Sequence, residues 1–183
     1  MRVQIEPSVA KGNVPAPPSK SMAHRALICA ALSDGASIDN VAYSKDISAT
    51  LDCLLKMGAQ VKQENDIVKI GGLDPFHIPE GTRLYCNESG STLRFFLPLC
   101  MLSGSKIILE GSERLLERPL TVYEDICKEK NIYFEKNRNS VTVCGKLTSG
   151  NYFVPGDVSS QFITGLLLAL PLVEGDSCLT VTG

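Results

Sequence analysis

Three apolar helical stretches recur along the chain, each closed by a glycine and followed by a strand-like run. They are SMAHRALICAALSDG leading into ASIDNV, STLRFFLPLCMLSG leading into SKIILEG, and SQFITGLLLALPLVEG leading into DSCLTVTG. The closing glycines, Gly35, Gly104 and Gly175, are 69 and 71 residues apart, and each helix opens near a serine: Ser21, Ser91 and Ser160. A repeat of this period restricts the fold to one in which equivalent units pack around a shared core. The opening helices are apolar nearly all round, which predicts that they are buried on every side.

The first two units continue alike. A polar loop leads to an amphipathic helix, from about Lys45 to Met57 in unit one and from about Pro119 in unit two. Two short strands joined by a polar turn follow: AQVKQ and DIVKIGG around Glu64–Asn65, then IYFEK and SVTVCG around Asn137–Arg138–Asn139. A strand leads each unit in (GNVPAP, RLYCN, NYFVP), giving the order β-α-β-α-β-β. The expected fold is α/β (α+β), with pseudo-threefold units, buried helices inside and sheets outside. The units span about 14–72, 73–147 and 148–183, with Leu73 to Gly81 as the best internal boundary. The third unit needs about 35 further residues to match the others. The strand within residues 1–13 falls outside the repeat and is expected to belong with a second domain.

The chemistry gathers at the mouths of the three helices. In PSKSMAHR, Pro15, Pro17 and Pro18 forbid helix before them, so the first helix begins near Ser19 or Ser21. Lys20 then sits at the positive end of the helix dipole, and Ser21 and Arg25 share one face. A lysine, an arginine, a hydroxyl and free backbone N–H groups suit a phosphate or carboxylate. One such helix alone reads more readily as a serine cap with two solvated cations. Three equivalent polar mouths are harder to explain by capping, and the repeat favours the anion site.

With a formal net charge of −2, the chain gives no reason to propose nucleic acid or an anionic membrane as a partner. The start, MRVQIEPSV, has no apolar segment of the secretory kind, and FITGLLLALPLV is too short to span a bilayer. Seven cysteines without a CxxC or CxxH pair, and only two histidines, argue against zinc; no metal or cofactor is expected. Most of the cysteines read as small buried hydrophobes, and the expected compartment is the reducing cytoplasm.

In order and spacing, PSKSMAHRAL, ESGSTLRFF, ERPL and SSQFITGLLLALPL closely resemble the EPSP synthase family of 3-phosphoshikimate 1-carboxyvinyltransferases. The resemblance runs through the whole chain and covers less than half of the family's usual length. It implies two domains of three βαβαββ units closing on a cleft, in an enzyme expected to be monomeric. It also implies metal-free transfer of the enolpyruvyl group of phosphoenolpyruvate to the 5-hydroxyl of shikimate 3-phosphate, through a tetrahedral intermediate.

By the same resemblance, Lys20 contacts both substrates and is the catalytic candidate, a flexible cation able to follow developing charge. Ser21, Arg25, Ser159 and Ser160 are implied ligands of shikimate 3-phosphate. Gly90 lines the phosphoenolpyruvate pocket, which glyphosate also occupies, and Arg118 grips phosphoenolpyruvate. Gln161 bridges the two substrates. Glu88 stands where many family members carry Asn. Arg94 reads as structural, pairing with Glu88 or the loops, and Arg114 and Glu117 as surface residues. Asp46 is placed to order Lys20 or Arg25, and His24 reads as a packed or solvated residue.

The sister transferase acting on UDP-N-acetylglucosamine carries Lys-Asn where this chain has Lys20–Ser21. It commonly has a reactive cysteine where this chain has Glu113, and both differences favour the shikimate enzyme. The other reading is a non-catalytic module that holds shikimate 3-phosphate at its helix ends. The 183 residues alone are expected to bind without turnover, because proton-transfer carboxylates of the family lie in its second domain.

Overall fold

Six helices and nine strands form in a computed structural model, which describes residues 3, 4, 6, 7, 9 and 11–183. The strand expected within residues 1–13 falls partly on positions 1, 2, 5, 8 and 10, outside the described residues; the described ones there are in no strand. Unit one contains α1 (Lys20–Ala31), β1 (Ala36–Ile38), α2 (Lys45–Lys56), β2 (Gln60–Glu64) and β3 (Ile67–Gly71). Unit two contains β4 (Arg83–Tyr85), α3 (Gly90–Cys100), β5 (Ile107–Glu110), α4 (Glu113–Leu116), α5 (Thr121–Glu129), β6 (Tyr133–Lys136) and β7 (Ser140–Cys144). Unit three contains β8 (Gly150–Pro155), α6 (Ser160–Ala169), a 3-10 turn at Leu170–Leu172, and β9 (Ser177–Thr182).

Each unit has its own sheet, in the orders β1-β3-β2, β4-β5-β7-β6 and β8-β9. The repeat is visible in the pairing. β4 runs parallel to β5 and β8 parallel to β9, as strands on either side of a crossover helix must. β1 and β5 pair antiparallel with the last strand of their own unit. The closing glycines all take positive φ (121°, 78° and 92°), the left-handed turn that releases each chain from helix to strand.

Three expectations are corrected. GNVPAP forms no strand; Pro15 and Pro17 lack the N–H donors that a partner of β1 would need. The amphipathic helix of unit two starts at Thr121 rather than Pro119, and the short α4 precedes it, capped where Ser112 Oγ accepts from the Leu115 amide at 3.2 Å. Of the opening helices, only α3 is buried on all sides. It lies between α1 and α2 on one flank and α6 on the other, whereas α1 leaves Met22 63% exposed and α6 leaves Leu167 57% exposed. Four cysteines (53, 86, 100 and 127) are buried, Cys144 is half-buried, and Cys29 and Cys178 are exposed; all are free. Among the described residues no helix is long and apolar enough to cross a membrane.

Pro98 inside α3 cannot donate to the carbonyl of Arg94, one turn back. The hydroxyl of Tyr123 on α5 donates to that carbonyl instead, at 2.6 Å. Gly165 on α6 makes room, since a Cβ there would collide with the Tyr123 hydroxyl and the Arg94 carbonyl. One orphaned backbone group thereby fixes how α3, α5 and α6 meet, directly below the polar helix mouths.

Candidate active site

The capping residues are serines at a strict interval. Ser19, Ser89 and Ser159 precede α1, α3 and α6, and each side chain accepts a backbone N–H from the first turn: Met22, Thr92 and Gln161 respectively. These caps lie one or two residues before Ser21, Ser91 and Ser160, the serines that open the repeats in the sequence. The shift leaves Ser21 and Ser160 exposed, with no side-chain hydrogen bond among the described residues, while Ser159 serves as a cap. Lys20, Gly90 and Ser160 therefore occupy the same position, the first residue of each helix.

Hydrogen bonds draw the three mouths together. Arg25 donates Nη1 to the Ser21 carbonyl at 3.0 Å and Nη2 to Thr164 Oγ1 of α6 at 3.2 Å, and its guanidinium lies 5.5 Å from the centre of the Phe95 ring of α3. Gln161 of α6 donates Nε2 to Ser91 Oγ at 2.8 Å and accepts at Oε1 from Arg94 Nη1 at 2.7 Å. Lys20 Nζ pairs with Asp46 Oδ2 of α2 at 2.9 Å, still 58% exposed and free to turn toward a ligand. Asp46 thus orders Lys20 and not Arg25.

Around Gly90 the site is tightest. A Cβ added there would lie 2.8 Å from Arg118 Nη1, 3.2 Å from Arg94 Nη1 and 3.5 Å from Gln161 Oε1. Two guanidinium groups, an amide and a helix N-terminus thus crowd a position that has no side chain. Neither arginine is salt-bridged among the described residues. Burial, and next the neighbouring Arg118, hold the Arg94 guanidinium below its usual pKa. Its Nε is buried without a partner, and its plane lies 4.9 Å from the centre of the Phe162 ring. Like charges held side by side without a counter-ion form a site that an anion relieves.

Arg94 is the residue the sequence reading undervalued. It does not pair with Glu88, which is exposed; it contacts Gln161 and the Pro119 carbonyl at 3.5 Å. Its position as the one charged residue of an otherwise uncharged helix was the available signal. Thr164, which holds Arg25, and Lys136, whose Nζ donates to the Arg118 carbonyl at 3.2 Å, had no signal of their own. Arg114 and Glu117 are exposed, as expected.

The seven described candidate positions at the helix mouths and the loop residue Arg118 thus share one face of the molecule. A surface hollow of about 620 Å³, lined by Asp34, Gln60, Lys62 and Lys69 among others, lies apart from it, along β1–β3. Comparison with known proteins identifies the family. The 3-phosphoshikimate 1-carboxyvinyltransferase of Clostridium kluyveri is 48% identical over 183 residues, covering 98% of this chain and 43% of that protein. The enzyme of the same name from Clostridium perfringens is 42% identical over 184 residues, covering 99% and 43%. The chain thus spans less than half the length of these relatives. The solved structure of EPSP synthase from Acinetobacter baumannii superposes with a TM-score of 0.77 over 94% of this chain and 40% of that one, at 21% identity, and so shares the fold. A family model described as EPSP synthase (3-phosphoshikimate 1-carboxyvinyltransferase) matches residues 5–183. Family model, relatives and fold agree, and the chain belongs to the EPSP synthase family.

Proposed function

We propose that this face binds phosphoenolpyruvate and shikimate 3-phosphate for transfer of the enolpyruvyl group to the 5-hydroxyl, giving EPSP and inorganic phosphate in the cytoplasm. The observation that carries the reading is the pair of unneutralised guanidinium groups, Arg94 and Arg118, meeting at Gly90 on the N-terminus of α3. Gly90, Arg118 and Gln161 take phosphoenolpyruvate. Ser21, Arg25, Ser160 and the Ser159 hydroxyl take the 3-phosphate and ring of the other substrate, with Gln161 between the two.

In the reaction, the 5-hydroxyl gives up its proton as its oxygen bonds to C2 of phosphoenolpyruvate, and C3 gains a proton as the C2–C3 double bond becomes single. The tetrahedral adduct then loses phosphate from C2 and a proton from C3. Lys20 contacts both substrates, and its exposed amine can leave Asp46 to follow charge from the phosphoenolpyruvate oxygens onto departing phosphate. Arg25, held by Thr164 and the Ser21 carbonyl, is preorganised and need not reorient. Asp46 pairs with Lys20, while the nearest side chains to Gly90 are Arg118, Arg94 and Gln161, none of them a carboxylate; on this reading the chain by itself binds without turning over. The active enzyme is proposed to be monomeric, with these small molecules as its partners.

Calorimetry with each substrate tests the reading. Shikimate 3-phosphate should bind the chain, Arg25→Ala and Ser160→Ala should weaken it, and Arg118→Ala should weaken phosphoenolpyruvate alone. Unchanged affinity in all three variants overturns the site, and brisk phosphate release by the chain overturns binding without turnover.

A further inference from the structure

Behind the helix mouths runs a file of polar groups that the proposed chemistry does not use. His24 on α1 is 2% exposed and its Nδ1 lies 2.8 Å from Thr50 Oγ1 on α2. Thr50 Oγ1 lies 2.8 Å from Thr92 Oγ1 on α3, and Thr92 Oγ1 donates to Ser89 Oγ at 2.7 Å. Thr50, Thr92 and Ser89 are all buried. The Thr92 amide also donates to Ser89 Oγ, at 3.2 Å, so the last oxygen of the file is the cap of α3 and immediately precedes Gly90.

Proton counting gives the file a direction. A hydroxyl has one proton to give. Thr92 gives its proton to Ser89, so the proton between Thr50 and Thr92 comes from Thr50. Thr50 then has none left for His24, and the contact at Nδ1 is made by an imidazole N–H. Three contacts use three of the four protons that a neutral imidazole and three hydroxyls carry, and the fourth remains on Ser89. The charged groups that act on the imidazole are Asp46 from α2 and Lys20 and Arg25 from its own helix; from α3 it meets the Phe95 ring edge-on, 6.4 Å between centres. Burial outweighs Asp46 and brings the imidazole pKa down to about 4.

We propose that His24 is a positioning residue for the turn at Gly90: with its proton on Nδ1 it orients the Thr50 and Thr92 hydroxyls, and they fix the Ser89 oxygen that caps α3. The arrangement ties the mouth that carries Lys20 and Arg25 to the mouth that carries Gly90, through side chains that touch no ligand. Its consequence for phosphoenolpyruvate rests on the proposed reading of Gly90 as an anion cradle; the file itself does not.

Two measurements on the 183-residue chain test the proposal. In 15N-labelled protein at pH 7, long-range proton–nitrogen spectra should show His24 protonated at Nδ1 and bare at Nε2; the opposite tautomer overturns it. Hydrogen exchange at the Thr92 amide should accelerate at least tenfold in His24→Leu and in Thr50→Val. It should stay near the parent rate in His24→Asn, whose amide N–H can take the place of Nδ1. Members of one file are not additive, so the double variant His24→Leu/Thr50→Val should exchange no faster than the faster single. An additive double variant, or Asn behaving as Leu, overturns the role. Titrated with phosphoenolpyruvate, His24→Leu and Thr50→Val should lose affinity by a common factor that His24→Asn restores. If the parent binds no phosphoenolpyruvate, the cradle reading fails, while the tautomer and the exchange rates still decide the role of His24.

Discussion

The Tyr123 hydroxyl donates at 2.6 Å to the carbonyl of Arg94, the one carbonyl of α3 that Pro98 deprives of its helical partner. The same hydroxyl reaches the Phe162 carbonyl at 3.4 Å, and the two rings meet edge to face 5.0 Å apart. The side chain of Arg94 serves the candidate site while its backbone oxygen is held from below. Packing and chemistry are joined in one residue.

Replacing Tyr123 with Phe should keep the ring contact and remove the donor. The Arg94 carbonyl is then buried unsatisfied, a loss of about 1–3 kcal/mol. Urea unfolding of parent and variant measures it. A loss smaller than about 0.5 kcal/mol would mean that the carbonyl finds another donor.

Gly165→Ala tests the same junction from α6. Alanine raises helix propensity by about 1 kcal/mol over glycine, but the new Cβ would collide with the Tyr123 hydroxyl and the Arg94 carbonyl and lie 3.1 Å from Pro98 Cγ. Backbone has nowhere to go, so overpacking should dominate, with a net loss of about 1–3 kcal/mol in the same urea assay. A more stable variant would show that α6 can slide on α3.

Gly90→Ala, by contrast, should leave stability nearly unchanged. The atoms its Cβ meets first, Arg118 Nη1 and Arg94 Nη1, are the far ends of flexible side chains. They can move aside, and stability should change by less than about 1 kcal/mol. The cost falls on the anion site: phosphoenolpyruvate affinity in calorimetry should fall at least tenfold, with shikimate 3-phosphate affinity held within threefold. Equal loss for both ligands would mean that the cradle is shared.

The repeat was legible because helix, glycine and strand recur with local signals that need no tertiary knowledge. Helix starts were legible to within a residue or two because proline and serine act locally. What escaped was set by contacts between units. Pro119 looks like a helix start, yet its carbonyl is drawn to Arg94 and the helix waits until Thr121. Arg94 itself reads as structural, because its neighbours in sequence are apolar and its partners Gln161 and the Pro119 carbonyl lie 67 and 25 residues away. Thr50 and Thr92 look like ordinary helix residues, since only folding brings them together with His24. Burial all round was correctly expected for α3 alone, as its neighbours on both flanks belong to other units.

His24 also predicts how stability depends on pH. Its pKa is near 4 folded, against 6.5 for a free imidazole, so between these values the unfolded chain binds more protons than the folded one. Stability contributed by keeping the imidazole neutral is therefore complete above pH 6.5 and is lost as pH falls toward 4. A shift of this size corresponds to at most about 3 kcal/mol. Exposed carboxylates such as Asp74, which His77 holds below its usual range, lose their contribution at lower pH and overlap only the acid end of the window. Comparing the chain with His24→Asn cancels them. Urea unfolding from pH 4 to 7 should give a stability that climbs with pH more steeply for the parent than for the Asn variant, the two curves becoming parallel above about pH 6.5. Parallel curves throughout would mean that the imidazole accepts a proton in the folded chain as readily as in the unfolded one. The file from His24 to Ser89 would then have to tolerate a charge at its head.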